Sequence, residues 1–228
     1  MSRTMSRSVQ QAIYKYLPDS WGDFYDSDYR VSYNMKVYLW NSEKLQGVNK
    51  KRILSEVKNE LVNFKDRGGK ILGFGSLGTE NINLNEYSIL TPKCLENNQI
   101  PDIISNVSPL TFVCNKCKGV TTFSNSREYL ISSENRYCRK GNCGGELKQI
   151  GLVYACSCGF AAPIHIGKCI NHSHGSKYIK YYATDFKYTC SQDGRAIEMV
   201  RRCPECQQTL FPKNINSGDI FIPFNFTF

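Results

Sequence analysis

The residues best equipped for chemistry are the cysteines, eleven of them against three histidines in 228 residues. An odd count argues against a complete disulfide framework, and most of them sit in close pairs. Such spacing suits metal chelation in a reducing cytosol. Cys114-Asn-Lys-Cys117 and Cys138-Arg-Lys-Gly-Asn-Cys143 form the strongest signal, two chelating pairs separated by 20 residues. This is the zinc-ribbon layout, in which each pair rides a tight turn beneath a hairpin. Zinc takes four soft ligands in a tetrahedron, and two preformed turns supply them at little loop-closure cost. Gly119 and Gly144-Gly145 allow the positive φ that such turns use.

Further along lie Cys156-Ser-Cys158-Gly159, Cys169-Ile-Asn-His172-Ser-His174, Cys190 and Cys203-Pro-Glu-Cys206. One histidine brings these to seven ligands and both bring them to eight, which closes two more tetrahedral sites. The expectation is at least two Zn²⁺ ions, and three when every ligand is used. Sequence leaves the pairing open. Cys156, Cys158, Cys203 and Cys206 can share one ion, leaving Cys169, His172 or His174, and Cys190 for the other. Alternatively Cys156 and Cys158 join Cys169 and His172, and Cys190, Cys203 and Cys206 need a fourth ligand. The first solution joins two close pairs and is preferred.

Nothing nearby makes these sites catalytic. There is no His-Glu-x-x-His, His165 is followed by Ile166-Gly167 rather than a glutamate, and Pro204 lies inside its cysteine pair. The zincin and deaminase patterns are therefore missing. Thiolate-rich sites are typically closed and structural. Cys203-x-x-Cys206 lacks the βαβ context of a redox dithiol. Gly73-Phe-Gly-Ser-Leu-Gly78 mimics a dinucleotide fingerprint without the strand and helix it requires, so it is assigned a turn. Cys94 is expected to be a buried small hydrophobe, and His165 a packed histidine in an apolar stretch. The expected protein is non-catalytic and has no small-molecule substrate.

The elements that must hold these ligands give an α+β class: a small mixed segment over 1–111 and a zinc-ribbon-type, β-rich, multi-zinc block over 112–228. A short helix is expected from Ser8 to Leu17, ended by Pro18. Asp19 to Tyr33 has no clear period and is expected to be loop, and Lys36–Trp40 a short strand. The best helix covers 50–66. It puts Ile53, Leu54, Val57, Leu61 and Phe64 on one face, stopped by Gly68-Gly69, and burial of that face in the core is its expected use. Residues 71–113 hold one Lys against four acids and read as a connecting region. The end of the chain, 219–228, alternates aromatic and polar residues like a terminal edge strand. No apolar run is long enough to span a bilayer, so no membrane role is expected.

The formal charge is +9, but ten thiolates on three Zn²⁺ would lower it to about +5. From residue 114 onward there are 15 Lys and Arg against eight acids. Lys177, Lys180, Lys187, Arg201 and Arg202 interleave with aromatics such as Tyr181, a composition suited to phosphate neutralisation and base stacking. The plainer alternative is a solvated basic face with tyrosines packed beneath. Nucleic acid, DNA foremost, is one expected partner, and a larger protein contacted by the N-terminal half and the aromatic tail is the other.

The run Phe112-Val-Cys-x-x-Cys117, Cys138-x₄-Cys143-Gly-Gly-x-Leu147, Val153-Tyr-Ala-Cys156-x-Cys-Gly159, Cys169-x-x-His172 and Cys203-x-x-Cys206 resembles the cysteine-rich zinc region of helicase-associated subunits of DISARM-type bacterial antiphage systems. The likeness covers residues 112–210. It departs from the family at Cys156-x-Cys158-Gly159, where a wider spacing is usual. What it implies is an accessory DNA-handling subunit working beside a helicase or ATPase.

Overall fold

The computed structural model describes residues 5, 7–64, 66, 86–92, 103–164, 166, 169, 172, 175, 178–217 and 220. Helix α1 (Val9–Lys15) opens on a reciprocal capping box between Ser8 and Gln11, which satisfies two of the donors a helix start leaves open. The segment expected to be loop is instead a hairpin: β1 (Trp21–Asp26) pairs antiparallel with β2 (Val31–Trp40), which also pairs with β5 (Ile103–Val107). Burial does alternate from Asp23 to Asp26, with Phe24 and Asp26 inside and Tyr25 exposed, but Gly22, Asp23 and Asp26 are residue types more common in loops and hid the strand. Asp26 turns the chain by accepting from the backbone N–H groups of Asp28 (3.1 Å) and Tyr29 (3.3 Å). β3 (Ser42–Lys44) and β4 (Leu90–Pro92) form a separate pair.

Helix α2 (Lys50–Phe64) forms where the sequence places it, started by Asn49 Oδ1 accepting from Arg52 N–H (3.0 Å). Its expected burial is not found. Ile53, Leu54, Val57, Leu61 and Phe64 are only half-buried, and none joins a hydrophobic cluster of the described residues.

The remaining strands are short and antiparallel. β6 (Thr111–Cys114) lies between β7 (Val120–Thr122) and β8 (Leu147–Gln149), with α3 (Ser126–Leu130) beside them. β9 (Leu152–Ala155) lies between β10 (Ala161–Pro163) and β15 (Pro212–Asn214). β11 (Ile179–Tyr182) pairs with β12 (Lys187–Cys190), and β13 (Arg201–Arg202) with β14 (Thr209–Leu210). The protein is thus mixed α and β, and mostly β.

Residues from both sides of position 111 share one core. Phe24, Tyr33 and Val107 pack with Phe112, Phe123, Tyr129 and the thiol-bearing Cys114 and Cys138. Phe112 stacks on Tyr129 with ring centroids 4.4 Å apart. Gln149 ties the layers together, accepting from Asn34 N–H (2.6 Å) and donating to the carbonyls of Asn34 (3.1 Å) and Pro109 (2.7 Å). A second core gathers Leu152, Tyr154, Ile164, Ile179, Tyr181, Tyr188 and Leu210 around Cys169, Cys190 and Cys203.

Within that second core the Tyr188 hydroxyl is buried with no hydrogen-bond partner among the described residues, and burial pushes its ionisation upward. An unmet buried hydroxyl costs about 1–3 kcal/mol. Tyr188→Phe keeps the ring and removes that cost, so it is expected to raise the thermal midpoint by about 2–4 °C for each kcal/mol recovered in a chain of this size. A calorimetric melt of the metal-loaded variant checks this, and a lowered midpoint would mean that the hydroxyl is in fact bonded.

Candidate metal centres

Each cysteine group sits on turns built one way. At Cys114 the N–H donates to Gly119 O (3.0 Å), and Lys118 N–H, four residues on, returns to Cys114 O (3.1 Å). Cys203 repeats this with Gln208 O (2.8 Å) and Gln207 N–H (3.0 Å). The fourth residue after the cysteine has positive φ in both, 60° at Lys118 and 62° at Gln207. The Cys156 turn is one residue shorter, through Phe160 O and Gly159 N–H, and the Cys138 turn two longer, through Gly145 O and Gly144 N–H. The closing residues again have positive φ, 97° at Gly159 and 59° at Gly144. These turns aim backbone N–H groups at sulfur, as Cys117 N–H does toward Cys114 Sγ (3.5 Å). Lys118, not Gly119, takes the left-handed conformation. Gly145 is needed for another reason: a Cβ there would lie 2.5 Å from Cys114 Sγ.

The turns bring three groups together. Cys114, Cys117, Cys138 and Cys143 form the first, and Cys156, Cys158, Cys203 and Cys206 the second, which is the preferred of the two pairings. Cys169, His172 and Cys190 form the third. All their cysteines are free thiols. Sulfur separations are 3.6 Å for Cys114–Cys143, 3.7 Å for Cys117–Cys138, 3.4 Å for Cys156–Cys206 and 3.6 Å for Cys158–Cys203. His172 presents Nδ1 to Cys169 Sγ at 3.7 Å and to Cys190 Sγ at 3.5 Å. A tetrahedral ion with metal–sulfur bonds near 2.3 Å has ligand-to-ligand edges of about 3.8 Å, and about 3.6 Å where one ligand is nitrogen. The donor types and their spacing fit such an ion. His174 and His165 lie outside the described residues, as do Cys94, the glycine run 73–78, Lys177 and all of the tail 219–228 except Ile220.

Electrostatics point the same way. Burial pushes the Cys114 thiol up, but the N–H groups of Cys117 and Lys116 and the neighbouring thiols outweigh it and hold it at about 7. Burial and the Cys117 and Cys114 sulfurs push Cys138 up to about 12. The second group repeats the split. Cys203 is at about 7, where N–H donors of Cys206 and Glu205 overcome burial. At Cys158 the Phe160 N–H pulls downward, but burial and three neighbouring sulfurs carry the thiol up to about 12. One thiolate forms readily in each group and then resists the next, so full deprotonation calls for a cation in their midst.

Lys140 was legible only as one more basic residue, although the Cys138-x₄-Cys143 spacing puts it inside a ligand turn. It is half-buried, and its Nζ donates to Val120 O (2.6 Å). Desolvation lowers its ionisation against the opposing charges of Cys138, Cys117 and Cys114.

The basic residues divide by position. Lys187, Arg201 and Arg202 are exposed and Lys180 is half-buried. Tyr181 is a correction: it is 5% exposed and packs against Tyr188, ring centroids 4.7 Å apart, so it presents no face to a base. Strand alternation explains this. Ile179, Tyr181, Tyr188 and Cys190 face inward, which leaves Lys180, Tyr182 and Lys187 together on the outer face of the hairpin, Tyr182 directly opposite Lys187. Tyr182 is 38% exposed and Phe186, in the turn, 51%. Arg201 is less available, since its guanidinium lies over the Tyr154 ring at 5.6 Å.

Residues 8–218 match the family described as a domain of unknown function, DUF8724. The chain belongs to that family. No curated protein and no solved structure matches it. The matched span contains all eleven residues of this chain's three candidate groups. No helix among the described residues is long and apolar enough to cross a membrane.

Proposed function

We propose that this DUF8724 protein is a non-catalytic accessory subunit, folded around three Zn²⁺ ions on zinc-ribbon-type turns, that binds nucleic acid through the β11–β12 hairpin. The zinc assignment rests on two donor sets of four sulfurs and a third of sulfur and imidazole, the ligand types of structural zinc. Free thiols suit a reducing, cytoplasmic setting. The observation that carries the nucleic-acid reading is the outer face of the hairpin. There Lys180 and Lys187 flank Tyr182, with Phe186 at the turn, so that phosphate neutralisation and sequence-tolerant stacking are combined on one surface.

The test is fluorescence anisotropy of zinc-loaded protein with labelled single-stranded DNA across a salt series. Lys180→Glu with Lys187→Glu is expected to weaken binding and to flatten the slope of log K against log salt by about 1.4, some 0.7 for each phosphate that is no longer neutralised. An unchanged slope and affinity would remove the hairpin from the interface.

A second reading has its own support in α2, whose apolar stripe is left half-buried outside the described cores. Such a stripe suits a partner's groove. A larger partner of helicase or ATPase type in an antiphage complex is what the ligand-order resemblance adds to this reading.

A further inference from the structure

The third group has three ligands among the described residues, Cys169, His172 and Cys190, and a closed tetrahedral site needs a fourth. The turn that carries Cys190 supplies a candidate. Cys190 N–H donates to Arg195 O (2.9 Å), five residues on, and Gly194 N–H returns to Cys190 O (2.9 Å), four residues on. The closing residue, Gly194, has a φ of 70°. These are the two hydrogen bonds and the left-handed residue of the Cys114 and Cys203 turns, at the same offsets. In those turns the residue three beyond the first cysteine is the second ligand, Cys117 in one and Cys206 in the other. At the third turn that position is Asp193.

The carboxylate lies beside the group, outside the 4.8 Å that its three donor atoms share. Asp193 Oδ1 is held by Arg195 N–H (3.0 Å), and Oδ2 lies 3.8 Å from His172 Nε2 and 3.7 Å from Arg195 Nε. It also hydrogen-bonds the Cys190 thiol. It therefore meets Cys190 at the thiol and His172 at Nε2, the ring nitrogen other than the one that faces the two sulfurs, while its other oxygen is anchored to the turn. The turn's offsets place it as a ligand, and a rotation of its side chain would bring it onto the shared centre.

We infer that Asp193 is the fourth ligand of the third metal site, standing in the turn where the other two sites have cysteine. The inference rests on the metal-binding reading proposed above. A carboxylate is an accepted zinc ligand at about 2.0–2.2 Å, but it is a harder donor than thiolate and leaves the site less selective for soft ions. The third site is then the weakest and most exchangeable of the three.

Co²⁺ titration of the reduced, metal-free full-length chain tests this, with bound equivalents counted from the tetrahedral absorption bands. Wild type is expected to take three equivalents. Asp193→Ala should hold two tightly, with the third weakened by more than the roughly 10–100-fold that loss of a merely supporting residue costs. Asp193→Cys should restore the third equivalent and add the charge-transfer absorbance of one more thiolate, which guards against a variant that simply misfolds. His174→Ala should still take three. Loss of the third equivalent in His174→Ala with its retention in Asp193→Ala would overturn the assignment, as would retention in both. Wild-type protein that takes only two equivalents would instead fail the third-site metal reading itself, and the ligand assignment with it.

Discussion

Cys138→Ser is expected to cost the protein one metal equivalent and the core around it. Cys138 and Cys114 are buried members of the same cluster as Phe112, Phe123 and Tyr129, so an ion held by them and the aromatic packing would form one unit. Structural zinc contributes on the order of 10 kcal/mol of coupled folding free energy. That is as large as the whole stability of an ordinary domain, about 5–15 kcal/mol. Chelation under reducing conditions should do the same to all three sites. The readouts are metal content and near-ultraviolet circular dichroism, which follows the ordered Phe112–Tyr129 stack. A variant that keeps its native aromatic signal with one fewer metal would separate core from ion and refute the coupling.

Acid should act in the same direction, and the sign follows from the thiols. The metal-bound groups carry fewer protons than the metal-free ones, whose Cys138 and Cys158 stand near 12. Loading therefore releases protons, and the loaded state gains stability as pH rises. Once pH falls below about 7, Cys114 and Cys203 take up protons as well and compete with the metal.

The second large effect is expected at Arg136. Its guanidinium reaches Asp26 Oδ2 (3.3 Å) with both side chains almost fully buried, and it lies 3.5 Å above the Tyr29 ring. This pair joins the β1–β2 hairpin to the segment that leads into Cys138. Removing one member of a buried pair strands the other charge, and costs about 3–5 kcal/mol. Arg136→Leu should lower stability by that amount in chemical denaturation, while Arg136→Leu with Asp26→Asn should recover a large part of it. A double variant no better than the single one would mean that the arginine acts through Tyr29 rather than through charge.

The first metal group was legible because its four ligands lie within 29 residues and in two tight pairs. The turns at Cys156 and Cys203 were legible singly, but their meeting depends on β9, β13 and β14, and sequence could only rank that pairing above another. Asp193 was not legible as a ligand. The signal was present in Cys190-Ser-Gln-Asp193-Gly194, which has the spacing of a chelating pair and a glycine where the turn closes. Aspartate is too common on exposed turns to stand out there as cysteine and histidine do. The β1–β2 hairpin was missed because Asp26 and its neighbours look like loop residues until their backbone partners are known. Helix α2 shows the reverse. Periodicity gave its extent nearly to the residue, but amphipathicity states only that a face wants covering and not what covers it.

The order of ligands along the chain also has a consequence in time. The first group is sequential and local, whereas the third is nested inside the second, whose ligands lie 50 residues apart from Cys156 to Cys206. At roughly 5–20 residues per second of synthesis, Cys156 and Cys158 wait about 3–10 s for their partners to appear. By then all four ligands of the first group already precede them, and a completed first site withdraws four thiols from the competition. The nested pair then has only its own members to choose among, so a chain with ten clustered cysteines avoids most of its wrong pairings by the order in which it is made.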